Sequence, residues 1–427
     1  MKFQPPRGTR DLMPEDAAKL EKVLDIVRSV FKKYGFLPLF TPAFEDFGLL
    51  SVKGGLGEAV KDEIYYFKDK SDRELGLRFD LTMPMVRVVA SNPQLKLPFR
   101  RYATGSVWRY DRPQAMRFRE FWQADVDIVG TKSVKADVEC LAVVCECLER
   151  LGFQDYYIRV NNRKIAQRVF EKIVGAENIK EAFRSIDKLD KIGLDGVKAE
   201  LEEKNISTKD VMKFLKIKGT NKVVLRKLKA YGKVDGVDEL EEMLNFAKDF
   251  GMLKRLKIDV SLVRGLDYYT GNVFEVFLGE NVSCGGGGRY DDLIEAVGGS
   301  PMPATGISLG ISRIVEVMKG KDMFKPLFDS EFRVFVANVD DESFSSAIKT
   351  AAKLRKKGIA CETDSMQRNL SNQLEYADSV GVRYVVIVGK KEMASGKLKF
   401  KDMKNKTEDE TTIGEIIKKL KKLARVG

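Results

Sequence analysis

The chain has 427 residues, 44% of them hydrophobic, with 75 Lys+Arg against 63 Asp+Glu and no histidine. Such a length accommodates two or three domains around a sizeable core. The missing histidines exclude Ser-His-Asp and Cys-His triads, His-ligated metal sites and a histidine general base, so any chemistry must run on arginines, carboxylates, tyrosines, backbone groups and bound ions.

From Pro14 to Tyr34 the apolar residues Leu20, Val23, Leu24, Val27, Val30, Phe31 and Tyr34 recur at three- and four-residue steps and predict a helix, with Pro14 in the first turn and Gly35 ending it. FLPLFTPAFE follows; Pro38 and Pro42 demote it to an edge strand. Residues 76–89, GLRFDLTMPMVRVV, alternate and predict a strand with Arg78, Asp80 and Thr82 on one face. Residues 119–128 alternate too, with Arg119, Phe121, Gln123, Asp125 and Asp127 on one face and Trp122, Ala124, Val126 and Ile128 on the other. An antiparallel sheet with one face on a core and one on a ligand reads this way. Helix is expected from Val134 to Gly152 and strand from Tyr156 to Asn161. Residues 163–257, rich in Lys, Glu and Leu, predict a helical insertion without strands. Strands resume near Val260. GISLGISRIVEVM reads as a strand running into a helix, and 319–330 as a linker.

The last module, 331–427, alternates strand and helix: FRVFVANV, a helix over 342–357, IACET, a helix over 369–380, YVVIVG, KLKFKDM and a basic amphipathic helix over 413–424. That order predicts a mostly parallel sheet. It lacks the GxGxxG turn of a dinucleotide site. No apolar run is long enough to span a bilayer, and the opening MKFQPPRGTRDLMP carries no apolar signal segment, which predicts a cytoplasmic protein that does not enter a membrane. Cys140, Cys145, Cys147, Cys284 and Cys361 are odd in number and none form CxxC, so they read as free packed thiols, with no structural zinc.

The charge is uneven. Residues 163–257 carry 23 Lys+Arg and 16 Asp+Glu, and residues 331–427 carry 20 and 14, while the remainder is close to neutral. An excess confined to two modules favours a polyanionic partner, nucleic acid first.

Chemistry concentrates elsewhere. WRYDRPQAMRFREFWQADVDIVG (108–130) and LVRGLDYYTG (262–271) set arginines beside carboxylates and aromatic rings. Arginine forks match phosphate and carboxylate geometry. Asp111 can accept from an adenine amino group, and Phe121 offers a flat surface to a purine. These residues suit a nucleotide triphosphate and a small polar substrate better than a structural hairpin.

The chain resembles the histidyl-tRNA synthetase family, within the class II aminoacyl-tRNA synthetases, over almost its whole length. The first helix and Pro-bearing strand resemble motif 1, 108–130 motif 2, GISLGISR motif 3, and LVRGLDYYTG and GGRYDDL the two family signatures. The resemblance implies an α/β fold overall: an α+β catalytic domain over 1–325, an antiparallel sheet flanked by helices, interrupted by the helical insertion at 163–257, then an α/β anticodon-binding domain over 331–427. It implies a homodimeric histidine–tRNA ligase that uses ATP with Mg2+ and charges tRNA(His). Arg109 would bridge the substrate carboxylate and the ATP α-phosphate. Arg264 would stabilise α-phosphate charge where many class II enzymes place a second magnesium. Asp111, Arg117, Phe121 and Arg313 would hold ATP. Asp80, Thr82 and Gln123 would take the α-amino group, Asp127 an imidazole N–H, and Tyr268, Tyr269 and Tyr290 would line the amino-acid pocket. Arg112 and Gln114 would meet the tRNA acceptor end. Ser312 departs from the acidic residue usual before the motif 3 arginine. The alternative is a histidine-binding regulatory paralogue of ATP phosphoribosyltransferase, which lacks the C-terminal module.

With no histidine, almost nothing in the protein titrates between pH 5 and 8 by default, apart from the α-amino group and any perturbed thiol or buried carboxylate. The inflection of kcat/KM is therefore expected at the substrate's imidazole, near about 6.5.

Overall fold

The structure, a computed structural model, describes residues 3–52, 63–112, 116–232, 235–263, 268–279, 282–324 and 333–426. They form two compact units, 1–317 and 318–427.

The strands of the first unit are, in chain order, β1 (Leu37–Pro38), β2 (Phe44–Asp46), β3 (Tyr66–Lys68), β4 (Glu74–Leu77), β5 (Phe99–Trp108), β6 (Glu120–Val129), β7 (Tyr156–Asn162), β8 (Leu256–Ile258), β9 (Asn272–Leu278), β10 (Val282–Arg289) and β11 (Ala304–Gly310). Eight make one sheet in the order β1-β5-β6-β11-β10-β9-β7-β8, and β2, β4 and β3 make a small second sheet. The pairings from β5 through to β7 are antiparallel, while the edge strands β1 and β8 pair parallel. β1 takes the edge because Pro38 cannot donate to a ladder on both sides.

Helix Pro14–Lys33 has Pro14 in its first turn, Glu15 and Asp16 at its positive end and Lys32 and Lys33 at its negative end. Its buried stripe is Leu20, Val23, Leu24, Val27, Val30 and Phe31, and Phe31 meets Tyr102 of β5 at 5.5 Å between ring centroids. Helix Val134–Arg150 starts on a Ser133 cap and buries Cys140, Cys145 and Cys147 among its apolar residues. Burial pushes all three thiols up, as befits packing groups rather than nucleophiles. Among the described residues, 163–249 hold six α-helices, from Arg163–Val174 to Asp235–Asp249, and a 3-10 turn at Ala176–Asn178; β8 straddles the boundary expected at Lys257, so the insertion ends in a strand where none was expected.

One expected strand is absent. After β4 the chain leaves the extended conformation, and Thr82–Ala90 is a helix. Asp80 explains the break: its Oδ1 accepts from the backbone N–H of Thr82 at 3.1 Å and of Met83 at 2.9 Å, satisfying two free donors of the helix N-terminus. Pro84 lies in that first turn, where its missing N–H costs nothing.

The second unit contains β12 (Val334–Asn338), β13 (Cys361–Thr363), β14 (Tyr384–Val388), β15 (Leu398–Asp402) and β16 (Thr407–Thr411), ordered β13-β12-β14-β15-β16. β12 pairs parallel with β13 and β14, whereas β14–β15 and β15–β16 are antiparallel, so the sheet is mixed and not mostly parallel. A hairpin at Lys404–Lys406 sends β16 back along β15, which needs no crossover helix. Helices Asp341–Lys356 and Ile413–Val426 supply Ala347, Ala351, Leu354, Ile416 and Leu420 to one face of the sheet. Leu370–Ser379 contributes Ala377 to the other. No described helix is long and apolar enough to cross a membrane.

Candidate active site

The site is built on one face of the central strands. In an antiparallel pair, directly opposed residues share a face. Arg101, Ala103 and Gly105 of β5 oppose Asp127, Asp125 and Gln123 of β6; these in turn oppose Gly306, Ser308 and Gly310 of β11, and Gly286 and Gly288 of β10 complete the row. Acids and an amide on β6 thus face small residues on the next two strands. A cavity of about 700 Å³ opens there.

Asp80, Thr82, Arg109, Asp111, Arg117, Phe121, Gln123, Asp127, Tyr268, Tyr269, Tyr290 and Arg313 all line this cavity. Arg112 is exposed and is not among the lining residues. Gln114 and Arg264 lie outside the described residues. Asp80 and Thr82 reach the cavity from the loop and helix start rather than from one face of a strand.

Among the lining residues, Asp127 is 2% exposed. Arg101, fully buried, places Nη2 2.6 Å from Asp127 Oδ2 and donates to the Leu81 carbonyl at 3.0 Å. The Tyr290 hydroxyl donates to Asp127 Oδ1. Arg289, next to Tyr290, is anchored 2.8 Å from buried Asp137 and donates to the carbonyls of Thr131 and Ser133. That anchorage fixes the strand end from which Tyr290 projects. Tyr268 and Tyr269 have ring centroids 4.3 Å apart, and the Tyr268 hydroxyl donates to that of Tyr269 at 2.9 Å. Burial pushes the hydroxyls of Tyr268 and Tyr290 upward, so both stay neutral donors.

Asp125 was not singled out by sequence. Burial pushes its carboxyl up to about 7; Arg101 pulls against this, and Asp127 and Asp80 add to it. The cavity therefore contains a buried carboxyl of the kind excepted from the expectation above, placed beside the site where the substrate would bind. The sign of the effect on stability is fixed. An unfolded aspartate ionises near about 3.9, so between there and about 7 the native state holds a proton the unfolded chain has lost. Stability from this group falls as pH rises through that window. Asp125→Asn is expected to melt above the unsubstituted protein at pH 8, with the advantage shrinking towards pH 4. Thermal melts across that range check it.

Elsewhere on the lining, Arg109 donates through Nε to the Phe79 carbonyl at 3.1 Å, and its guanidinium lies 5.2 Å from the Phe121 ring centroid. Asp111 Oδ2 accepts from Arg117 at 2.7 Å and 3.1 Å. Arg313 donates to the Ser283 carbonyl. Ser312 accepts from the Trp122 N–H at 2.9 Å and so ties the helix following β11 to β6. Glu275 of β9, which also lines the cavity, accepts from the Ser283 hydroxyl at 2.6 Å.

Gly306 is needed where it stands. A Cβ there would lie 2.0 Å from Asp127 Oδ1 and 2.8 Å from the Val126 carbonyl. Gly306→Ala must displace the carboxylate, whose Oδ1 is the acceptor of the Tyr290 hydroxyl. It is expected to weaken amino-acid substrate binding by about tenfold or more, the size of one lost charge-assisted hydrogen bond; equilibrium binding measures it.

Two comparisons of sequence and one of structure bear on this site. A family model described as "Histidyl-tRNA synthetase" matches residues 8–314, and one described as "Anticodon binding domain" matches 333–423. A histidine–tRNA ligase of Aeropyrum pernix is 38% identical, covering 98% of both chains. The chain belongs to the histidyl-tRNA synthetase family. Another family member, from Clostridium tetani, is 36% identical over 97% of both chains. The crystal structure of histidyl-tRNA synthetase from Nostoc sp. PCC 7120 has a TM-score of 0.85 at 32% identity, covering 99% of both chains.

Proposed function

We propose that the protein is a histidine–tRNA ligase. It activates histidine with ATP and then esterifies tRNA(His). The observation that carries the reading is the convergence of Asp80, Thr82, Gln123, Asp127 and the three tyrosines on one cavity with Arg109, Arg117 and Arg313.

Histidine enters beside Asp127 and the three tyrosines. Asp80, Thr82 and Gln123 take its α-ammonium, and Asp127, held by Arg101 and Tyr290, accepts an imidazole N–H. Its carboxylate attacks the α-phosphorus of ATP in line. A P–O bond forms to the carboxylate, the α–β bridge breaks and pyrophosphate leaves. Catalysis is positioning and charge stabilisation, with Arg109 and Arg264 at the α-phosphate and Arg117 and Arg313 on the outer phosphates. Arg117 would leave Asp111 for a phosphate, freeing Asp111 to accept from adenine beside Phe121. Magnesium would enter with the nucleotide substrate and supply charge neutralisation at its outer phosphates. The terminal ribose hydroxyl of tRNA then attacks the adenylate, guided by Arg112 and Gln114. A pocket that hydrogen-bonds a substrate N–H can reject analogues lacking it by roughly 10⁴ to 10⁵.

In this reading residues 1–325 are the catalytic domain with an insertion at 163–257, and 331–427 bind the anticodon. A matched C-terminal module favours the ligase over the regulatory paralogue. A homodimer formed around motif 1 is supported by Leu37 and Phe40, which are 68% and 82% exposed at the sheet edge. The cell compartment is taken as the cytoplasm.

Histidine-dependent exchange of pyrophosphate into ATP tests the reading; exchange driven equally by another amino acid, or none, would sink it. Deleting residues after Ser330 is expected to leave much of the exchange and severely reduce tRNA charging. Equal loss of both would point to a structural role for that module. Affinity for tRNA should also fall steeply with added salt.

A further inference from the structure

Two buried acceptors on one strand face lack donors. Asp125 Oδ1 and Gln123 Oε1 have no hydrogen-bond partner, although the residues are only 2% and 8% exposed. Both line the cavity and lie two residues apart on β6. Bare buried acceptors cost free energy unless a ligand brings N–H groups to them.

The charges around Asp125 say what kind of donor fits. Asp127 follows on the same strand face, Asp80 approaches from the segment before helix Thr82–Ala90, and Arg101 faces both from β5. Ser308 opposes it from β11, Arg78 interacts from the loop after β4, and the Tyr268 hydroxyl lies nearby. Asp127 is answered by Arg101 and Tyr290, and Asp80 by the helix start. Asp125 has the Ser308 hydroxyl beside it, yet its Oδ1 makes no hydrogen bond. A neutral ligand would leave three acids crowded together. A cation would not.

We propose that Asp125 is a second carboxylate for the α-ammonium of the amino-acid substrate, and that it releases its proton to solvent as that group enters. The balance is simple: the neutral carboxyl and the ammonium become a carboxylate–ammonium pair, and one proton passes to the buffer. Gln123 Oε1 accepts a further N–H of the same ammonium. The inference rests on the histidine reading and adds to it a proton-linked step within the pocket. The physical cause is the pairing of opposite charges: an incoming cation lowers the cost of ionising a carboxyl held neutral by burial and acidic neighbours.

The test uses the full chain and triazolylalanine, a histidine analogue that carries the same ammonium on a ring that stays neutral near pH 6.5. Calorimetry in two buffers of different ionisation heat counts protons released on binding. The expected result is roughly half a proton or more per ligand at pH 6.5. In Asp125→Asn that release is expected to fall to nearly nothing, while the ligand still binds, more weakly. Binding without release in the unsubstituted protein, or unchanged release in Asp125→Asn, would overturn the proposal. Should Asp125→Asn fail to fold, infrared difference spectra of the unsubstituted protein decide: loss of a protonated-carboxyl band on binding supports the assignment, and an unchanged band overturns it. If the analogue and histidine both fail to bind, the histidine reading falls and this step with it.

Discussion

Arg101→Met is expected to destabilise the protein by about 3–5 kcal/mol, the usual cost of stripping one partner from a buried ion pair. Arg101 is the largest fully buried side chain, it lies 2.6 Å from Asp127, and it is the positive charge facing Asp127, Asp125 and Asp80 from β5. Methionine keeps the length of the stem and removes only the charge and donors. Asp127 would then be left buried with the Tyr290 hydroxyl, and Asp125 would be driven further towards its protonated form. Urea titration measures the loss. The double variant Arg101→Met with Asp127→Leu should recover part of it, because no uncompensated charge remains. A cycle with no coupling between the two positions would show that the pair contributes nothing beyond packing.

Arg264→Ala is expected to slow adenylate formation by two orders of magnitude or more while histidine binding suffers less. The magnitude is that of removing one preorganised donor from a site of developing charge. The argument rests on the family signature LVRGLDYYTG, since Arg264 itself lies outside the described residues; the adjoining Tyr268 and Tyr269 line the cavity. Pre-steady-state adenylate formation separates the two effects. A variant that lost histidine affinity but kept its rate at saturation would move Arg264 from the phosphate to the amino acid.

Much of this site was legible because β6 alternates without interruption: its polar side faces the cavity and its apolar side the core, so residues 120–129 could be read as a strand with a ligand face. The same alternation misled at 78–83. There the polar residue Asp80 is a helix cap, and a cap followed by an apolar turn imitates a two-residue period over so short a stretch. Arg101 went unrecognised because its meaning lies in register: only the pairing of β5 with β6 sets it against Asp127. Asp125 was passed over for the same reason, since its crowding comes from Asp80 and Arg101 on separate elements. β16, TEDET, is exposed along most of its length and carries no apolar signal at all. β10 was hidden by its glycines, which have no side chains to alternate.

Those glycines constrain how the gene can change. Added Cβ atoms would lie 2.7 Å from the Ser308 carbonyl at Gly285, 2.1 Å from the Gly306 carbonyl at Gly287 and 2.5 Å from the Asn272 carbonyl at Gly288. Each of those neighbours is backbone of an adjoining strand and cannot swing aside. Every missense change of a glycine codon adds at least a Cβ, so at these three positions even alanine, the smallest step available, collides. Saturation mutagenesis should therefore find these three positions in the middle of the sheet without a tolerated replacement, although they contribute no side chain to the site. Sequence change in this chain would have to go around those positions, through the residues that frame them.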